Sequence, residues 1–199
     1  MGNKKIIKYI ILFMLVFLIT GNISYAAMLP KEIIIETEDI VIDKVRYKDF
    51  YLNVSKIIVG DGKAAYCLEI HKEYPAGESF TKNKERQYDI SPVMQVGYPN
   101  STSEELGVEN DEEAYFATQI ALWCYLEGYN ANFITGSNTK EVEAIKKIYN
   151  ESKSRVSKEM NYDINVYYSN EEVQDIVVVS AKEGINNKVL EEIQNYNRK

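Results

Sequence analysis

The chain is poor in the residues on which most catalytic chemistry draws. Its 199 residues include two cysteines and one histidine, His71, too few ligands for a zinc site of the usual cysteine and histidine type. It has no glycine-rich phosphate loop and no Gly-x-Ser-x-Gly elbow, so nucleotide binding and serine hydrolysis have nothing to rest on. Basic clusters are missing too. The formal net charge is −7, and an acidic chain without a basic patch is a poor partner for nucleic acid or an anionic membrane. No cofactor is called for. Internal repeats are absent, and no stretch is long or biased enough to link independent domains.

There is one long apolar run, at the start. Residues 1–26 read as a secretory signal peptide, with Lys4, Lys5 and Lys8 as the positive region, Tyr9 to Ile19 as the apolar region and Ser24-Tyr25-Ala26 as the cleavage site. The run is shorter than the roughly 20 residues that span a bilayer. Contact with a membrane is therefore expected only through this segment before cleavage, the alternative being an uncleaved anchor. Removing it takes three lysines and no acidic residue, which leaves the mature chain more acidic still. Residues 27–184 suit one domain, or one domain built as two lobes, and 185–199 a tail or the start of a linker. Export places the chain where disulfides persist, so a Cys67–Cys124 disulfide is the plainest expectation for its two cysteines.

What is present is first a set of strands. Glu32 to Glu36, Ile40 to Ile42 and Phe50 to Val59 are rich in β-branched and apolar residues. After the turn Gly60-Asp61-Gly62, Ala64 to Ile70 reads as the return strand of a hairpin, with Cys67 inside it. Tyr74-Pro75-Ala76-Gly77 marks a turn. Ser91 to Gly97 predicts a short helix capped by Ser91 with Pro92 at its first position. Farther on, Asp163 to Tyr168 and Val173 to Ser180 read as two strands about a turn at Ser169 to Glu172.

The clearest helix is predicted from Asp111 to Glu127, capped by Asn110 or Asp111, with acids in its first turn and Gly128 after its last. A second, amphipathic helix is predicted from Lys140 to Ser157. On the first, Gln119 and Trp123 are four apart and share a face. Cys124 is five from Gln119, about 140° around the helix, so it points elsewhere.

Ala65-Tyr66-Cys67-Leu68-Glu69, the Tyr74-Pro75-Ala76-Gly77 turn, Gly97-Tyr98-Pro99-Asn100, Ala114-Tyr115-Phe116-Ala117-Thr118-Gln119-Ile120-Ala121-Leu122-Trp123 and Val173-Gln174-Asp175-Ile176 follow one another in the order and spacing of a known family. Together they resemble the thioester domains of Gram-positive surface adhesins. The resemblance covers most of residues 32 to 180. It implies an α+β fold, with a β-sandwich-like lobe packed on a helical lobe and a Cys67–Gln119 thioester at their junction. It also implies an adhesin that captures a host surface or extracellular-matrix protein through a lysine amine. Such a protein reacts once and is not an enzyme in the cycling sense.

In that chemistry the Cys67 thiolate attacks the Gln119 side-chain carbonyl and ammonia leaves. Glutamine amides are poor acyl donors, so close juxtaposition must supply the activation, and apolar cover must keep water away. Tyr66 and Trp123 are the candidates for cover or packing. Two departures from the family stand out: Cys124 is additional, and no stalk or wall anchor follows, as expected of a fragment or of an unanchored secreted domain.

Three further polar groups lie close to the pair in sequence. His71 invites a cysteine-histidine nucleophile, but four residues along a strand separate α-carbons by about 13 Å. Glu69 and Thr118 lie close in sequence to the reacting groups, and neither is assigned a catalytic role. The rival to the covalent adhesin is a noncovalent β-rich binding module stapled by Cys67 and Cys124.

Overall fold

The structure is a computed structural model that describes residues 29–60, 63–83, 88–154 and 158–182. The signal segment 1–26, the turn residues Asp61 and Gly62, and the tail 185–199 lie outside the described residues. The architecture is α+β.

Strands β1 (Glu32–Tyr47), β2 (Phe50–Ile58), β3 (Ala64–Cys67), β4 (Ala76–Lys82), β5 (Ile134–Thr135), β6 (Tyr162–Tyr168) and β7 (Ile176–Ala181) join in one sheet. The path is β2-β1-β4-β6-β7-β3, with β5 on β1, and each pairing is antiparallel. The expected sandwich-like lobe is thus one continuous sheet. Register shifts between Thr37 and Val41 and between Val41 and Asp43 interrupt β1, as bulges do where a long strand bends. The sheet curls until its end strands β2 and β3 lie against each other.

That curl corrects the expected hairpin. β3 is adjacent to β2 but pairs with β7, Cys67 opposite Ile176, and it ends at Cys67 instead of running to Ile70. The edges of β2 and β3 are joined by a side chain: the Tyr115 hydroxyl accepts from the Ile57 N–H at 3.2 Å and donates to the Ala65 carbonyl at 2.8 Å. A phenol wedged between two strands satisfies their backbone groups and prevents a direct ladder.

Among the described residues four α-helices fill and cover the curl: α1 (Ser91–Val96), α2 (Ser103–Leu106), α3 (Asp111–Leu126) and α4 (Thr139–Lys153). In α1 the cap position falls on Ile90, which makes no side-chain capping bond, so Ser91 is the first helical residue and not the cap. The short α2 carries a full capping box between Thr102 and Glu105 that the sequence reading passed over. In α3, Asn110 accepts from the Glu113 N–H at 2.9 Å, and Gly128 adopts φ +71° just beyond the helix.

Every residue of α3 from Ala114 to Cys124 is buried, because α3 runs through the centre with the sheet on one side and α4 and α1 on others. The small residues Ala114, Ala117 and Ala121 permit that close packing. A helix enclosed on all sides holds its side chains in fixed directions, as the position of Gln119 requires.

Candidate functional site

The N–H and C=O of Cys67 face away from β7 at the free edge of β3. There the Gln119 carboxamide meets both groups. The Cys67 N–H donates to Gln119 Oε1 at 2.8 Å, and Gln119 Nε2 donates to the Cys67 carbonyl at 2.8 Å. The side chain acts as a one-residue extension of the sheet, which explains why a helix residue is held against this strand end. Both residues are shut off from water, where leaving such groups unpaired would cost about 1–3 kcal/mol each. Burial also drives the Cys67 thiol well above its ordinary acidity range, so the resting group is the neutral thiol.

The two residues expected to shield the pair differ in position. Tyr66 points to the opposite side of β3, stacks on Tyr115 with ring centres 4.8 Å apart, and donates its hydroxyl to the Tyr98 carbonyl at 2.7 Å. It is a floor that fixes the strand. Trp123 is buried one turn beyond Gln119 and meets the Tyr74 ring edge-on, centres 6.5 Å apart. Among the described residues its Nε1 is a buried donor without a partner.

Tyr74, read from sequence only as part of a turn, contributes more. Its hydroxyl donates to the Asn53 carbonyl on β2 at 3.0 Å, and burial, then the nearby Cys67, raise its pKa above the usual tyrosine range. Tyr74 and Trp123 both line a cleft of about 390 Å³, with Tyr51, Asn53, Ile70 and Gln174. No single-residue pattern could have flagged Tyr74, because its role arises from where the β3-to-β4 turn crosses the seam.

The other weighed residues are occupied elsewhere. Glu69 accepts from the Asp175 N–H at 3.0 Å and pairs with Lys72 at 3.0 Å. Thr118 donates to the Ala114 carbonyl at 2.8 Å and accepts from the Tyr98 N–H at 2.9 Å, tying α3 to the loop after α1. A Cβ on Gly97 would lie 2.6 Å from the Thr118 methyl, so glycine permits this approach. The His71 side chain is 75 % exposed and stands 3.7 Å from Glu127, forming no dyad with Cys67. Cys67 and Cys124 are both free thiols, so the rival disulfide is not formed in this structure. Among the described residues no group of His, Cys, Asp and Glu is placed to hold a metal ion.

Comparison with known proteins agrees with the resemblance read from the sequence. The family described as "TED: Thioester domain" matches residues 64–154, a span that includes both Cys67 and Gln119. No curated protein matches the chain. Among solved structures, the Bacillus anthracis TIE protein is similar at 18 % identity and TM-score 0.55, over 77 % of this chain and 39 % of that one. The thioester domain of the Enterococcus faecium TIE86 protein is similar at 16 % identity and TM-score 0.53, over 77 % and 78 %. The N-terminal thioester domain of a surface protein from Clostridium perfringens is similar at 17 % identity and TM-score 0.50, over 74 % and 97 %. At these identities the likeness is one of fold, and this chain spans about two-fifths of the Bacillus protein.

Proposed function

We propose, for a chain whose residues 64–154 match the thioester-domain family, that Cys67 and Gln119 close into an internal thioester that then captures a partner protein through an amine. The observation that supports this most is the double hydrogen bond between the Gln119 carboxamide and the Cys67 main chain. It holds an acyl donor beside a buried thiol on two rigid elements, the arrangement in which an intramolecular reaction gains most.

The steps follow from the atoms in place. The Cys67 sulfur, on losing its proton, attacks Gln119 Cδ, and negative charge develops on Oε1. The Cys67 N–H already points at that oxygen and stabilises the charge. The C–N bond breaks, Nε2 takes up the proton and leaves as ammonia, and a C–S bond remains. A lysine amine then attacks the same carbon, the C–S bond breaks, and a proton from the amine passes to the Cys67 sulfur. An isopeptide bond joins the two proteins, and the chemistry ends after one turnover.

Tyr74 and Trp123 exclude water from the stored acyl group in this scheme. Secretion and display at a Gram-positive cell surface, with a host surface or matrix protein as partner, belong to the same proposal. Their support is the family match and the description of the Clostridium protein as a surface protein.

Intact mass spectrometry tests the central step. The mature protein should weigh one ammonia less than its sequence and gain one methylamine when incubated with that amine. A mass equal to that of the unmodified chain, with both thiols titratable, would reject the thioester. Loss of two hydrogens would instead support the disulfide-stapled module.

A further inference from the structure

The seam between β2 and β3 is filled over only part of its length. Along β2, Tyr115 takes the Ile57 N–H and Tyr74 takes the Asn53 carbonyl. In an antiparallel ladder, residues whose polar groups face the partner strand alternate with residues whose groups face away. The Asn53 carbonyl faces away from β1, so its N–H does too, and so do the N–H and carbonyl of Tyr51 two residues earlier. The register with β1 is regular from Phe50 to Val54, so this parity holds. β2 ends the sheet, and Tyr51 and Asn53 line the same cleft as Tyr74 and Trp123.

We propose that this cleft takes an extended, lysine-bearing segment of the partner protein as an added strand on β2, paired with the main chain of Tyr51 and Asn53 and leading toward Tyr74 and Trp123. The proposal rests on the thioester reading for its purpose, and names the mode by which the amine is delivered. The outward groups are a donor and an acceptor on Tyr51 and a donor on Asn53, at strand spacing. A peptide main chain supplies complements to all three, whereas a small ammonium ion supplies only donors. Opposite this edge, the aromatic rings of Tyr74 and Trp123 offer apolar contact to the alternate side chains of such a strand.

Tyr74 couples docking to reaction. Its hydroxyl holds the outward Asn53 carbonyl, and the residue both lines the cleft and lies near Cys67. A strand that advances as far as Asn53 competes for that carbonyl and releases the Tyr74 hydroxyl. The cover therefore loosens when an extended segment occupies the cleft, and it stays in place against water.

Hydrogen exchange on the Cys67→Ala protein, which cannot form the thioester, tests docking alone. The probe is an unstructured peptide of Gly, Ser, Thr and Val around one lysine, at millimolar concentration. The amides of Tyr51 and Asn53 should become slower to exchange with this peptide and remain unchanged with the same peptide N-methylated at alternate residues. Equal protection by both peptides, or none by either, overturns the proposal.

In the wild-type background, Tyr51→Pro deletes the outward N–H while sparing the ladder with β1. The ratio of peptide to methylamine adduct rates should fall about tenfold, as for loss of one hydrogen bond, whereas Tyr51→Ala should retain most of it. A ratio unchanged in Tyr51→Pro, with β1 and β2 amides still protected, overturns the proposal. Methylamine failing to react while Tyr51 and Asn53 are still protected would reject the thioester and leave docking standing.

Discussion

Cys67 ends a strand and Cys124 sits near the end of a helix, and both are shut away from water. Burial raises both thiols, Cys67 well above its ordinary value and Cys124 to about 12. The difference lies in the backbone around them. The Cys67 N–H and carbonyl face a free strand edge and need partners, and the Gln119 carboxamide meets that need. Around Cys124 the helix ladder already supplies them, as the bond from the Glu127 N–H to the Trp123 carbonyl illustrates. In the proposed reaction Cys67 is thus distinguished by the backbone groups of its strand edge, which hold the Gln119 carboxamide beside it. Neither exposure nor thiol acidity selects it.

The most direct way to break that contrast is to remove each cysteine in turn. Cys67→Ala should abolish both the loss of ammonia and the methylamine adduct, whereas Cys124→Ala should retain both, as read by intact mass. A Cys67→Ala protein that still acquires methylamine at Gln119 would show that the thiol is not the partner, and the comparison would collapse.

Stability gives the next largest separation. In the Cys67→Ala background, where no cross-link contributes, Gln119→Ala leaves a strand-edge N–H and carbonyl buried and unpaired, at a cost of about 3 kcal/mol. Cys124→Ala trims one buried sulfur from a helix whose backbone is satisfied, at a cost of about 1 kcal/mol. Urea denaturation of the two variants compares them. Equal losses would mean that the Gln119 carboxamide is held by general packing and not by the edge of β3.

These differences also explain what could be read in the chain before its structure. The pair itself was legible, since Tyr66-Cys67 and Thr118-Gln119 stand in motifs whose order and spacing are distinctive. So were the ends of α3, because Asn110 and Gly128 act through local backbone chemistry. The strand partner of Cys67 was not. A hairpin is the local expectation after Gly60-Asp61-Gly62, and only the phenol of Tyr115, fifty residues away, keeps β2 and β3 from pairing directly. Tyr74 was missed for a similar reason: its hydroxyl bond to Asn53 crosses the seam between non-adjacent segments. The apolar run from Phe50 to Val59 marked a strand, but nothing local tells which of its edges remains unpaired.

A subtler effect should appear in pH. Because burial lifts the Cys67 thiol, the thiolate is scarce near neutrality and grows tenfold with each pH unit below the raised value. Thioester formation in freshly refolded protein should therefore speed up about tenfold per unit between pH 6 and 8. Time-resolved mass spectrometry follows the loss of ammonia. A flat profile would mean that deprotonation of Cys67 does not precede attack.

The smallest effect sharpens the comparison by acting on both regions at once. Asn110 caps α3, the helix that carries Gln119 and Cys124 alike, and its side chain accepts from the Glu113 N–H, six residues before Gln119. Asn110→Ala removes that bond at a cost of about 1 kcal/mol without touching the burial that orients residues 114–124. The unfolding free energy should fall by this amount while ammonia loss still goes to completion and Cys124 still titrates as a thiol after denaturation. If thioester formation instead fails in a protein that remains folded, then the position of Gln119 depends on the first turn of the helix as well as on the strand edge it meets. The contrast between the two cysteines would then be a property of the whole of α3.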